Sequence, residues 1–480
     1  MTKVRGRLSR RLHIAVLVGA CLVPLAFFLP ALGDPYGTSE DGLNPALWGL
    51  GARNLLAGGV ASQRGARVSP YPGTTGNGIY AHHPPLPVWV MTVPVALGGW
   101  EGWARLIALG CAAASLGLLY RVLRRSFEPR VALAAVVTIS LSGFLLECGR
   151  LFNTLTLATP LFLVLLDVTL GALKGERCPR WTPGVAALLV LSSWDGVIGA
   201  GVLVGVLLLR ARAWPTALGA LGALAFVGWH LIDATGGTAE LQWQLGWRAG
   251  GSEFTALQWL SRQGELLGFG LGPLTLALLF GAPVAWAVAR QERAALWTLL
   301  LAATPGVLML LVFRQGAHRH SFWGYNLVLP AAVALAMALT FALRAGRRPV
   351  AVLLGCLGLQ AAGSAYVAGE HLRRGREANQ VGALVARRFA TGVPTVPMLT
   401  HYNYHPYVSW YARARPDWAL TREELDARVA DGRWAPQAQV LVDAHYTARL
   451  GCRPYRTLDA TGDGRWVAVR ADELQQACRR

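Results

Sequence analysis

Between Ile14 and Val367 the chain is a succession of long apolar runs, many of them separated by short, arginine-rich breaks. Runs such as Trp103–Tyr120, Leu155–Leu173, Ala294–Phe313 and Trp323–Leu343 are close to the ~20 residues a helix needs to cross a bilayer. In lipid, a helix is the open segment that satisfies its own backbone hydrogen bonds. The chain is 54% hydrophobic and 15% charged, a balance that fits a polytopic membrane protein. The formal net charge is +19. In a soluble chain that excess would point to nucleic acid. Here most cations fall in short clusters between apolar runs, where the positive-inside rule explains much of the charge. The sequence has neither a P-loop nor His/Cys pairs at zinc spacing. The expected fold class is mainly α: a membrane helix bundle of about eleven spans.

The arginines orient the spans. Residues 1–13 are basic, and Ile14–Leu32 reads as a retained first helix with its N-terminus inside; a cleaved signal peptide is the alternative. Residues 33–86 form a first outer loop. Leu86–Leu97 would be roughly 20 Å long as a helix, too short to cross, and is expected to dip into the outer side. A true short span there would invert everything downstream. With it kept outside, the clusters at Arg121–Arg130, Lys174–Arg180, Arg210–Arg212, Arg290–Arg293 and Arg344–Arg348 all fall inside. The remaining spans are 131–146, 183–193 and 197–209 (joined at Trp194-Asp195-Gly196), 217–232, 266–289 as one run, and 350–367. Residues 1–369 thus make a membrane domain. Residues 370–480 make a small α/β domain outside it, with strands at TVPML and QVLVDA and a hairpin turn around Thr461–Gly464. If that domain faces an oxidising compartment, Cys452 and Cys478 can pair.

Two groups of residues suggest chemistry. Glu40 and Asp41 stand just ahead of a short helix, with Asn44 as N-cap, Pro45 at its first position and Gly58-Gly59 as its stop. A helix N-terminus favours ionised carboxylates; the alternative is a solvated loop. A Gly/Ser/Pro-rich tract, 58–78, follows. The second group is cationic: Arg314, His318, Arg319 and His320, with Tyr325 nearby and Arg150 on the same side. Cations on the outer face suit an anionic phosphate, or else belong to an ordinary interfacial anchor. His82 and His83 precede the proline-rich helix and suit phosphate or donor positioning; a metal needs one of them to converge with Asp41. Asp195 lies at a break between two short spans, as a turn residue or a site residue.

The segments EDG (40–42), ARNLL (52–56), YAHHPPLP (80–87), WARL (103–106), LECGRLFN (146–153) and SSWDG (192–196) resemble membrane glycosyltransferases of the C superfamily, GT-C. The nearest likeness is to the protein O-mannosyltransferase, lipid A aminoarabinose transferase and rhizobial lipopolysaccharide-transferase group, over roughly residues 10–330. The resemblance implies a sugar donor on a polyprenyl phosphate and an acidic catalytic residue in the first outer loop. Here the pair runs Glu40-Asp41, with Asp41 favoured as base. It implies that Arg105 follows the proline helix in the substrate region, and that Asn153 stands where relatives carry a metal-holding Asp. No cofactor is assigned, and a divalent cation, Mg or Mn, stays open. The implied activity is inverting transfer of a sugar to a glycan, lipid or protein hydroxyl at the outer face of a bacterial inner membrane. His82, His83, Arg150, His318, Arg319 and His320 would bind the donor phosphate. Arg105, Asn153, Tyr325 and Asp195 would contact substrate. The rivals are a transporter or flippase of lipid-linked glycans, a ligase that moves a whole lipid-linked glycan, and a non-catalytic scaffold.

Overall fold

The computed structural model describes residues 2–63, 83–235, 237–250, 253–289, 293–389, 395–401 and 405–479. They form two compact units. One comprises Met1–Pro30, Ala81–Pro87 and Arg105–His371; the other comprises Ala31–Tyr80, Val88–Ala104 and Leu372–Arg480.

The first unit is helical. Among the described residues of the chain, eight helices are long and apolar enough to cross a membrane, or nine if one bent pair counts as a span. The chain is an integral membrane protein. Pro129–Ser140 and Thr182–Ser192 stand where two more spans were expected. At 12 and 11 residues they reach about 18 and 16 Å, short of a ~30 Å hydrocarbon core. Leu86–Ala96 is the expected short helix. Thr154–Leu173, buried along most of its length, is the centre of the bundle, whereas Arg11–Ala31 turns Val16, Val18 and Leu22 outward. Val328–Ala345 is buried along most of its length and packs on Pro129–Ser140, Pro273–Val288 and Arg293–Val312.

Two expected spans are interrupted. The run 266–289 is two helices, Ala256–Leu271 and Pro273–Val288, bent by 102°. Gly272 has φ +84° and Pro273 starts the second helix, so the ladder cannot continue. Gln360 occupies the break. Its Oε1 accepts the Leu274 and Thr275 N–H groups at 2.9 and 3.2 Å, and its Nε2 donates to Leu271 O at 3.0 Å. The run 131–146 stops at Ser140 and restarts as Gly143–Cys148, where Ser142 caps the Leu145 N–H. Phe144 then lies in a slot left by Gly270 and Gly324; a methyl on either would strike its ring.

Two of the basic clusters expected on one side do meet. Arg121 donates to Asp167 at 2.8 Å, Arg125 donates to Asp167 and to Glu176 at 2.8 Å, and Lys174 reaches Arg125 O at 2.5 Å. The C-terminal ends of Glu101–Leu123 and Thr154–Leu173 therefore share one end of the bundle.

The second unit holds the acid loop and the α/β domain. Arg347–Phe389 is a single helix of 43 residues, about 65 Å long, and it runs well past the expected change of character at 370. Beyond it, the strands are β1 (Thr395–Leu399), β2 (Arg415–Ala419), β3 (Gln439–Asp443), β4 (Asp459–Ala460) and β5 (Trp466–Arg470). Their order is β2-β1-β3-β5-β4, with β1 parallel to β2 and β3, and β5 antiparallel to β3 and β4. The two apolar strands and the hairpin stand where they were expected. Strand β2, RPDWA, was not anticipated, because Arg, Pro and Asp hide it. Trp434 Nε1 and Arg428 Nε both donate to Asp417 in that strand, at 2.7 and 3.2 Å. Trp434, Val440, Val442, Val469 and Leu474 fill the core, and Cys452–Cys478 form a disulfide.

Candidate functional site

The acids do not precede their helix; they begin it. The helix runs Glu40–Gln63, with a break at Gly59 (φ +75°), so Asn44 lies in its second turn rather than at its cap. The Gly42 and Leu43 N–H groups already bond Ser39 O at 2.9 and 2.8 Å, and Asn44 Nδ2 donates to Glu40 O at 3.1 Å. Ser39 is therefore where the chain turns into the helix.

The loop before it is fastened to the long helix around Asn379. Thr38 N and Oγ1 donate to Ala378 O at 3.3 and 3.0 Å. Ser39 N donates to Asn379 Oδ1 at 3.2 Å. Ser39 Oγ lies 2.5 Å from Asp41 Oδ1 and 2.7 Å from Asn379 Oδ1. Its single proton is best placed on the carboxylate, the stronger acceptor. Three glycines make this approach possible: a Cβ at Gly37 or Gly42 would overlap Asn379, and one at Gly382 would overlap Tyr36 O. Upstream, Tyr36 N–H donates to Tyr411 Oη, which donates to Glu101 Oε1, both at 2.8 Å. Farther along the helix, the Arg53 guanidinium lies 4.2 Å over Trp410 and donates to its carbonyl at 3.0 Å; burial, with Arg413 near, lowers its pKa to about 10.

Asp41 is 3% exposed. Burial, with Asp41 beside it, pushes the Glu40 carboxyl up to about 7. The fold thus favours protonated Glu40. The stabilisation is fully present below the unfolded value of about 4.3 and is lost as pH rises through about 7. Thermal stability of the purified protein is expected to fall between pH 5 and pH 8, by at most about 3 kcal/mol from this group. Glu40→Gln is expected to flatten that fall; an unchanged pH profile of melting would refute the assignment.

In the first unit, the cationic residues cluster. Arg319 Nη2 donates to Glu253 Oε2 at 2.6 Å, and Gln315 Nε2 donates to Glu253 Oε1 at 3.1 Å. The Arg319 guanidinium lies 5.3 Å from the Trp247 ring. His318 stacks on Phe254 at 4.4 Å. Arg248 Nη2 lies 3.4 Å from His83 Nε2. Arginine can only donate, so His83 accepts there as a neutral ring. Burial, with Arg248 and Arg319 adding repulsion, lowers His320 to about 4, so it is neutral at physiological pH. Arg248, Arg319, His320 and His83 are thus electrostatic neighbours.

Arg248 was not among the sequence candidates; it lies between the apolar runs 217–232 and 266–289, where no motif marks it. That stretch contains the helix Ala239–Ala249, whose segment LQWQLGWR carries Trp247 and Arg248. Asn379 and Gly382 were missed as well; a glycine inside a charged helical stretch was the available signal.

The remaining candidates have other partners. Arg150 is buried, with its guanidinium 4.9 Å from the Phe28 ring. Asn153 caps Thr154–Leu173, its Oδ1 accepting Thr156 N–H at 2.9 Å. Asp195 lies in the first turn of Trp194–Ala211, behind Ser193 as cap, and accepts Asn326 Nδ2 at 3.0 Å. Arg105 and Tyr325 are buried. His82, most of the tract 58–78 and residues 290–292 lie outside the described residues. Among the described residues, no group of three His, Cys, Asp or Glu side chains is placed to hold a metal.

Residues 82–227 match the family model described as dolichyl-phosphate-mannose-protein mannosyltransferase. No curated protein matches the chain by sequence. Among solved structures, the chain is similar to ArnT from Cupriavidus metallidurans bound to undecaprenyl phosphate, with 16% identity, TM-score 0.56, and 96% and 97% of the two chains covered. It is also similar to the oligosaccharyltransferase AglB from Archaeoglobus fulgidus in complex with an inhibitory peptide and a dolichol-phosphate, with 12% identity, TM-score 0.57, and 96% and 74% covered. A complex of the Archaeoglobus oligosaccharyltransferase with Zn and sulfate gives 13%, 0.56, 95% and 73%. The fold of this chain is therefore the GT-C fold.

Proposed function

We propose that a chain with this fold transfers a sugar from a polyprenyl-phosphate donor to an acceptor hydroxyl at the outer face of the membrane. The observation that carries the reading is the cluster of Arg248, Arg319, His320 and His83, charge and hydrogen-bond donors suited to a phosphate. Asp41 is the general base. It takes the acceptor's proton as the oxygen attacks the anomeric carbon, and the bond to the phosphate oxygen breaks. Arginine and histidine donors hold the phosphate as it leaves with the bonding pair. One displacement inverts the anomeric centre. Glu40 tunes the base, Arg150 and His318 extend the phosphate region, and Arg105, Asn153, Tyr325 and Asp195 shape the substrate region. No step is routed through a metal.

The protein lies in the bacterial inner membrane, with its N-terminus inside and residues 370–480 outside. The joined clusters around Arg125 and Asp167, taken as the inner side, support this orientation. The likeness to an oligosaccharyltransferase favours a second reading, in which the donor carries a whole glycan.

Arg248→Gln and Arg319→Gln are each expected to weaken binding of undecaprenyl phosphate about tenfold or more, measured by titrating detergent-solubilised protein, with melting unchanged. Wild-type affinity in the double variant would remove the phosphate role.

A further inference from the structure

Strand β1 has β2 on one side and β3 on the other. The chain leaves β1 for β2 by way of Pro406–Ala412, then crosses back through Arg422–Ala430 to β3. The strand order therefore reverses between β1 and β3, which are parallel, with Leu399 opposite Val442. In open α/β sheets the crevice beyond the carboxyl ends at such a reversal is where ligands bind.

Here that crevice is a cavity of about 250 Å³ lined by His401, Asp443, His445, Tyr446, Arg449 and Arg465. At about 30 Å³ per water, it has room for a phosphate together with part of the molecule that carries it. Its residues come from three strand ends. His401 follows β1, Asp443 ends β3, and Arg465 precedes β5, held in place by the Ala444 N–H on its carbonyl at 2.8 Å.

Asp443 is committed to the protein. Its Oδ1 accepts the His445 and Tyr446 N–H groups at 3.1 and 3.3 Å, and its Oδ2 lies 3.2 Å from His401 Nδ1 and 3.8 Å from Arg465. It is 1% exposed, so it orients His401 and Arg465 rather than meeting a ligand. The Arg465 Nε–H is buried and donates to no group among the described residues. With both arginines charged and Asp443 ionised, the cavity is cationic even when both histidines are neutral.

We propose that this α/β domain carries a second, non-catalytic site for a phosphate-bearing ligand, bound by His401, Arg449 and Arg465 at the carboxyl ends of β1 and β3. The proposal stands on the sheet topology and the cavity, independently of the transferase reading.

The test uses the full chain with Arg248→Gln and Arg319→Gln in the background, so that the other cationic cluster is silent. Inorganic phosphate and glucose 1-phosphate are titrated calorimetrically into detergent-solubilised protein. In a parallel arm, binding of phosphatidic acid is measured in phosphatidylcholine nanodiscs. Saturable binding of the soluble phosphates, weakened about tenfold or more by Arg449→Gln and again by Arg465→Gln, is expected, and it identifies a soluble ligand. Binding confined to phosphatidic acid, with the same dependence on both arginines, supports the site with a lipid headgroup as its source. Arg449 is exposed, so its variant keeps the domain folded, and Arg433→Gln, an exposed arginine outside the cavity, is the control expected to bind normally. Absence of binding in both arms, or equal binding by the Arg449→Gln/Arg465→Gln double variant, overturns the proposal.

Discussion

Asp41→Asn is expected to reduce sugar transfer by ~10²- to 10⁴-fold, the usual contribution of a positioned general base. The substitution keeps the shape of the side chain, and an amide oxygen can still accept the Ser39 hydroxyl that lies 2.5 Å from Asp41 Oδ1. The loop should therefore remain fastened, with melting temperature and undecaprenyl-phosphate affinity near wild type. Loss of rate with affinity intact separates a catalytic carboxylate from a structural one. Wild-type turnover in the variant would reject Asp41 as the base.

The second large effect lies outside the acid pair. Gly382→Ala places a methyl group onto the carbonyl oxygen of Tyr36 and 2.8 Å from the Tyr411 ring. The first obstacle is backbone, so no side chain can swing aside. Either the long helix or the segment Tyr36–Gly42 must shift, at a cost of about 1–3 kcal/mol for overpacking. A displacement of about 1 Å at the acids would cost on the order of 10²-fold in rate. Hydrogen exchange across residues 34–45 should rise in the variant. Gly363 lies in the same helix with nothing near its Cβ position, so Gly363→Ala is expected to be neutral or slightly stabilising. Equal exchange and activity in the two variants would mean that the contact at Gly382 does not position the loop.

The membrane character was legible because hydrocarbon imposes a length on each apolar run. The short proline-rich helix, the arginine clusters and two of the strands were legible for similarly local reasons. Several of the departures depend on a residue remote in sequence. Gly272-Pro273 marks a local break, but the bend of 102° is held by Gln360, far along the chain, which satisfies groups the break exposes. Asn44 looked like the better cap until Ser39 was fixed by Asn379. The candidate residues were half visible. Glu40, Asp41, His83, Arg319 and His320 stood out by residue type against apolar surroundings. Arg248 did not, because a single arginine in a polar loop carries no local signal; its meaning comes from the 3.4 Å approach to His83.

The most direct measurement is transfer of radiolabel by the purified protein from a panel of polyprenyl-phosphate sugars into an envelope extract, with Asp41→Asn run in parallel. With the wild type, label from at least one donor is expected to leave the lipid fraction and enter acceptor, and with the variant to stay in lipid. Label that stays in lipid for every donor while nucleotide sugars serve instead, or that moves equally with both proteins, would contradict transfer from a lipid-linked donor with Asp41 as base.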